Sequence, residues 1–338
     1  MGRRLGSASI LLQEKVYIEA SASVVGTKEG QGPLGILFDM VAEDDLFGAE
    51  NWEEAESRLQ KEALFLALKK AGRTPEEIRF LFAGDLLGQS IASSFGLGVY
   101  QIPFFGIYGA CSTCGEALTL GACMVDGGFA DRVACVTSSH FASAEREFRF
   151  PLEYGNQRPL SASWTVTGSG AFVLGKGKEN ARAQIAGMTV GKIVDFGVKD
   201  SMNMGACMAP AAASTLLTHF QDFGRRPEDY DRIITGDLGS VGSQALIDLM
   251  RKEGYDLADR HMDCGVEIYD LKAQDCHAGG SGCGCCASTL SAYVLKQLEE
   301  KYWKRVLFLP TGALLSKTSF NEGKTVPGIC HGVVLEEV

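Results

Sequence analysis

The feature that most narrows what this chain can fold into is an internal repeat. The run from Gly72 to Leu86, with Pro75, Gly84 and Asp85, returns from Gly224 to Leu238 with Pro227, Gly236 and Asp237 in the same places. The offset is 152 throughout, without a gap. The apolar stretch Ala63 to Leu68 matches Thr215 to Phe220 at that offset, while Cys111 to Thr137 spaces like Gly284 to Pro310 at an offset of 173. Gly170 to Leu174 then resembles Gly332 to Leu335. Four matches in one order imply a duplication, so two copies of one unit are expected, with halves at 1–180 and 181–338.

The unit reads as strand, helix, strand, helix, strand and a closing strand pair. Trp52 to Ala71 carries Ala55, Leu59, Ala63 and Leu66 at helical spacing, and Gly72 is a natural stop ahead of Thr74 and Pro75. Arg79 to Ala83 is a short apolar strand, Ser112 to Val125 a helix of small residues, and Arg132 to Thr137 a strand. Strands alternating with helices predict a largely parallel, buried sheet. Two copies predict a layered α/β sandwich with the small-residue helices Cys111 to Val125 and Gly284 to Lys296 squeezed between sheets.

Several function classes fall away. With 32 Lys and Arg against 42 Asp and Glu, a formal net charge of −10 and no long basic run, a nucleic-acid-tracking surface is not expected. The uncharged stretch between Asp85 and Glu116 contains Gln89, Gln101, Pro103 and many Gly, which suits a buried core or subunit interface better than a lipid-facing helix. Ile10 to Leu12 is too short for a signal-peptide core and is ended by Gln13, Glu14 and Lys15, so a soluble protein made in the cytoplasm is expected. Eleven scattered cysteines predict free thiols rather than a disulfide framework. The two C-x-x-C spacings, at Cys111 and Cys283, sit among small residues at helix starts, so no metal centre is expected.

In such sheets, sites form at the carboxyl ends of strands, where helices begin. Cys111 lies there, after an expected strand from Ile102 to Tyr108 and the turn Gly109-Ala110. A helix start lowers a thiol's pKa and offers free N–H groups to an anion. By position alone, Cys111 is open between a functional thiol and one more small buried residue.

The duplicated unit with Gly109-Ala110-Cys111 at the start of the central helix resembles the thiolase superfamily, including the ketoacyl-carrier-protein synthases. More specific blocks are similar to one branch, the stage V sporulation protein AD family. These are Tyr108 to Glu116, Ser138 to Phe141, Ala144 to Pro151, Glu153 to Gly155, Trp164 to Gly168 and Gly279 to Gly284. The resemblance implies a thiolase-like α-β-α-β-α sandwich and a homodimer. It also implies a protein that binds dipicolinic acid, with calcium as the ligand's companion ion, and assists its uptake into the forming spore. The location implied is peripheral at the forespore inner membrane, with other stage V sporulation A membrane proteins as partners.

Departures from the superfamily pattern argue against Claisen chemistry. Thiolase-fold enzymes pair the thiol with groups from the second half that move protons and hold the thioester oxygen. Here the synthase His-x-Ala-Asn is replaced by Asp237-Leu238-Gly239-Ser240, and the region of the second motif reads Asp275-Cys276-His277-Ala278. A carboxylate beside a thiol raises the thiol's pKa. Cys330-His331-Gly332 resembles the thiolase Cys-x-Gly, which keeps an enzymatic reading open with Cys111, His277 and Cys330 as the machinery. For the binding reading, the expected ligand residues are Cys111, His140, Arg146, Arg149, Asp237 and His277, the guanidinium groups suiting a dicarboxylate. His219 and His261 are expected to be structural.

Overall fold

The computed structural model describes residues 3–148 and 158–338. Its strands, numbered along the chain, are β1 (Ser9–Val25), β2 (Phe80–Gly84), β3 (Phe104–Gly106), β4 (Arg132–Ser139), β5 (Gly168–Gly175), β6 (Ala183–Thr189), β7 (Arg232–Thr235), β8 (His261–Asp263), β9 (Arg305–Leu309) and β10 (Gly332–Glu336). They lie side by side in the order β8-β7-β9-β10-β6-β1-β5-β4-β2-β3. The main helices are α1 (Trp52–Ala71), α2 (Thr113–Asp126), α3 (Met204–Phe223), α4 (Gly239–Lys252) and α5 (Cys283–Thr289).

The part of the repeat at offset 152 is reproduced to the residue. α1 and α3 are 20 residues each and start 152 apart. Asn51 caps α1 by accepting from Glu54 N–H at 2.9 Å, and Asn203 does the same for α3 through Ala206 N–H. Each ends on a glycine, Gly72 or Gly224, at φ 63°, a left-handed conformation that favours glycine. The same offset carries the short 3-10 turns at Pro75–Glu77 and Pro227–Asp229 and the starts of β2 and β7.

Five layers follow from how the strands divide their side chains. Successive residues of a strand face opposite sides. Thus Leu81, Ala83, Ala134 and Val136 pack beneath α1, while Phe82 and Cys135 point into a central core. In the second half Ile233, Leu307 and Leu309 face α3, and Ile234 and Phe308 face the centre. That centre holds α2 and α5, whose Cys114, Ala117, Ala122, Cys285, Cys286 and Ala287 let the layers close. The order is therefore α-β-α-β-α, as expected from the sequence.

Small residues set the spacing. A Cβ on Gly170 of β5 would stand 2.6 Å from the Ala287 carbonyl of α5, and one on Gly284 would stand 2.3 Å from the Gly168 carbonyl. The central helix expected over Gly284 to Lys296 is not uniform: Leu290–Val294 forms a π-type turn before α-helix resumes at Leu295–Glu299. The halves meet within the sheet, because β1 pairs with β5 along its later residues and with β6 along its earlier ones. Among the described residues, no helix is long and apolar enough to cross a membrane.

Candidate functional site

Cys111 sits at the bend between β3 and α2. Ala110 adopts φ 50°, left-handed backbone that an L-residue enters only when its surroundings hold it. The hold is visible. Ser112 Oγ donates to the Gly109 carbonyl at 2.7 Å, Thr113 Oγ1 donates to the Ala110 carbonyl at 2.6 Å, and the Gly109 N–H donates back to Thr113 Oγ1 at 3.0 Å. From the second half, Gly312 presses its bare Cα against this turn, where a Cβ would meet the Gly109 carbonyl at 2.4 Å.

Cys111 is on the floor of a cavity of about 510 Å³. Leu86 to Ser90, Tyr108 and Thr165 form walls, and Met204, Ser281, Gly282, Ala313 and Leu315 to Thr318 complete it from the second half. Among the described residues, Lys317 is the only charged side chain in that lining. The volume is in the range of small-molecule sites.

Asp237, the residue expected to stand beside the thiol, lies directly behind it. Ser281 Oγ is 3.9 Å from Cys111 Sγ and donates to Asp237 Oδ2 at 2.7 Å. Gly282 N–H also donates to Oδ2, at 3.0 Å, and Thr311 Oγ1 donates to Oδ1 at 2.7 Å. Burial, and after it the Asp237 charge, push the Cys111 thiol well above its ordinary value. Burial likewise raises Asp237. The helix-start effect that would favour a thiolate is thus outweighed.

The duplication supplies a counterpart the sequence reading did not single out. Asp85, offset by 152 from Asp237, is fully buried at the end of β2. It accepts from Leu87 N–H at 2.9 Å and from Ser93 N–H and Oγ at 2.8 and 2.6 Å, so it pins the loop whose Leu86 to Ser90 make one cavity wall. The recurring Gly-Asp-Leu was its signal. Ser281 was foreshadowed only as part of a glycine-rich loop. Lys317 carried no signal, because it lies outside every motif.

The other expected residues are not brought to the cavity lining. His140 is buried, donating from Nε2 to the Asp45 carbonyl at 2.7 Å while Nδ1 accepts from Ala142 N–H; burial lowers its pKa. Arg146 pairs with Glu53, in the first turn of α1, at 2.5 Å. His277 is turned away at φ 51°, donating from Nδ1 to the Pro159 carbonyl at 2.8 Å, with Nε2 3.1 Å from Asp275 Oδ1. Cys330 is fully buried opposite Thr311 in the Thr311–Ala313/Gly328–Cys330 hairpin, and its own carbonyl accepts from Thr215. Arg149 lies outside the described residues. His219 is structural as expected, hydrogen-bonded to Thr189 and Tyr230.

The comparisons agree on the chain's place. The family model described as Stage V sporulation protein AD matches residues 6–336. The protein named Stage V sporulation protein AD from Bacillus subtilis (strain 168) is 43% identical over 331 residues, covering 98% of this chain and 97% of that one. Among solved structures, OleA of Xanthomonas campestris superposes with a TM-score of 0.62 at 17% identity, covering 96% of this chain and 98% of the other. The 3-oxoacyl-[acyl-carrier-protein] synthase III of Aquifex aeolicus VF5 gives 0.58 at 14% identity, covering 95% and 99%. At such identities the two structures speak for the fold alone. A duplicated α-β-α-β-α sandwich, a thiol at the start of its central helix and near-full-length sequence likeness converge: the chain belongs to the stage V sporulation protein AD family and has the thiolase-like fold of condensing enzymes.

Proposed function

We propose that this sporulation protein is a binder of dipicolinic acid that assists its uptake into the forming spore, holding it in the cavity above Cys111 without acyl transfer. The observation that carries the reading is the Cys111–Ser281–Asp237 arrangement: a well-formed cavity is kept, but its thiol is backed through Ser281 by a buried carboxylate that disfavours the thiolate and, ionised, cannot hold an oxyanion. Leu86, Leu87, Met204, Ala313 and Leu315 offer apolar surface to a flat ring, and Lys317 offers a charge to a carboxylate. In this reading Lys317 takes the part the sequence suggested for Arg146, which is engaged by Glu53. Calcium enters as cargo on the ligand's own carboxylates, since none of the lining side chains among the described residues is an acid. The membrane setting and the stage V sporulation A partners rest on family resemblance.

Calorimetric titration of the purified chain with dipicolinate, with and without calcium, tests this. Saturable binding is expected, weakened about tenfold or more by Lys317→Ala, because hydrogen bonds to charged groups contribute about 1.5–3 kcal/mol. Absence of saturable heat would sink direct binding.

The homodimer belongs to the same proposal. Among the described residues β3 ends the sheet with an unpaired edge; Phe104, Phe105 and Tyr108 on or next to it are exposed, as are Phe95 and Val99 on the helical segment that leads into it. A second copy can pair the same edge antiparallel across a two-fold axis and cover these residues at once. Sedimentation is expected to give twice the 36.2 kDa chain mass. Phe95→Lys combined with Phe104→Lys should shift it to the monomer, whereas a wild-type monomer at micromolar concentration would rule the dimer out.

A further inference from the structure

Behind the cavity floor, Asp237 has an acidic neighbour that the binding reading leaves unused. Asp263, at the end of β8, is buried like Asp237. The two are linked through the backbone: the N–H of Leu238, the amide next after Asp237, donates to Asp263 Oδ2 at 2.8 Å. Asp263 also accepts from Thr235 Oγ1 at 2.6 Å, Gly239 N–H at 3.0 Å and Val266 N–H at 3.2 Å. These donors, and the three on Asp237, are all neutral.

Among the described residues, the titratable groups facing the pair bring no cation. From the start of α2 comes the Cys111 thiol, from α5 Cys285 and Cys286, beside Asp263 Cys264, and from the hairpin Cys330. His261 Nε2 reaches Thr235 Oγ1 at 2.9 Å, and burial holds its pKa down to about 4, so it is neutral at pH 7. Two carboxylates in one cation-free interior cannot both ionise cheaply. Burial, with the Asp237 charge adding to it, pushes Asp263 up to about 7.

We propose that a carboxylate ligand entering the cavity draws one proton from solvent onto the Asp237–Asp263 pair, so that ligand binding and protonation are coupled. This rests on the binding reading given above. The step forms one O–H bond on a carboxylate of the pair, the proton coming from buffer acid, and nothing is oxidised or reduced. The cause is electrostatic. A negative ligand reaching Cys111 and Ser281 stands one hydrogen bond away from Asp237, so its charge raises the pair's affinity for a proton. Linkage makes this reciprocal: the protonated pair binds the anion more tightly. Ordinary carboxylic acids titrate near 4, so the ligand stays ionised while the pair responds.

The test titrates the full chain with dipicolinate at pH 7 in several buffers that differ in heat of ionisation. The expected result is an observed heat that changes linearly with the buffer's ionisation heat, with uptake of up to about one proton per ligand. Dissociation constants between pH 6 and 8 should then tighten by up to about tenfold per unit fall in pH. Asp237→Asn should lose the buffer dependence, whatever its affinity; should it fail to fold, the wild-type slope alone decides. Saturable binding with equal heat in every buffer overturns the coupling and leaves the binding reading standing. No saturable heat in any buffer overturns both, and an Asp237→Asn chain with the full slope overturns the assignment to this pair.

Discussion

Gly312→Ala is expected to cost about 3 kcal/mol of stability and to remove ligand binding, although it adds one methyl group. The added Cβ would lie 2.4 Å from the Gly109 carbonyl, 3.0 Å from Ser112 N and 3.3 Å from Cys111 N. All three are backbone atoms of a turn already clamped by the Ser112 and Thr113 hydroxyls, so no side chain can swing aside. Either the Cys111 turn moves, or the Thr311–Ala313 strand moves and pulls Thr311 Oγ1 from its 2.7 Å bond to Asp237. Both routes disorder the cavity floor. In a chain of this length the melting temperature should fall by roughly 4 °C. Gly98→Ala is the control. Its Cβ would meet nothing within 4 Å and its backbone is right-handed helical, so a change within about 0.5 kcal/mol is expected. A Gly312→Ala chain that melts and binds like the parent would mean that the second half does not press on the Cys111 turn.

That contact between halves marks the boundary of what the sequence discloses. Elements dictated by local physics were legible. The spacing of Ala55, Leu59 and Ala63 and the stop at Gly72 define α1, and the repeat transfers the same limits to α3. The place of Cys111 followed from strand, turn and helix start, and Asp237 beside it from the changed motif. β1 was not legible. Gln13, Glu14 and Lys15 read as the end of an apolar run, yet they are an exposed irregularity inside a 17-residue strand, with Asp126 accepting from the Gln13 and Glu14 amides. His277 stands outside the cavity lining for a geometric reason. The glycine-rich loop does reach the thiol, through Ser281 and Gly282, but only after the chain turns at Gly279, φ 128°, and Gly282, φ 106°. His277 precedes those turns and is tied to the Pro159 carbonyl. Lys317 owes its place to the fold of the closing hairpin, so no local pattern announces it.

The second large effect concerns the thiol itself and separates binder from enzyme. In the native chain, iodoacetamide should modify Cys111 slowly at pH 7, with a rate that climbs about tenfold per pH unit and reaches no plateau by pH 9. Burial and the Asp237 carboxylate both disfavour the thiolate, and the neighbouring Ser281 hydroxyl and Gly282 amide only partly offset them. Asp237→Asn tests the carboxylate's share. A unit charge at 4 Å is worth about 4 kcal/mol at an effective dielectric of 20. Each 1.36 kcal/mol is one pKa unit, so the Asn variant should react at least about tenfold faster at pH 7. The amide keeps the shape, its oxygen can still accept from Ser281 and Gly282, and its NH2 can donate to the Thr311 hydroxyl in place of the bond Oδ1 accepted, so the main change is the lost charge. Denatured chain supplies the reference rate for an unperturbed cysteine. Should native Cys111 instead label faster than that reference, with its rate level above pH 7, the thiol would be an activated nucleophile. Acyl transfer through Cys111 would then replace ligand binding as the reading of the cavity.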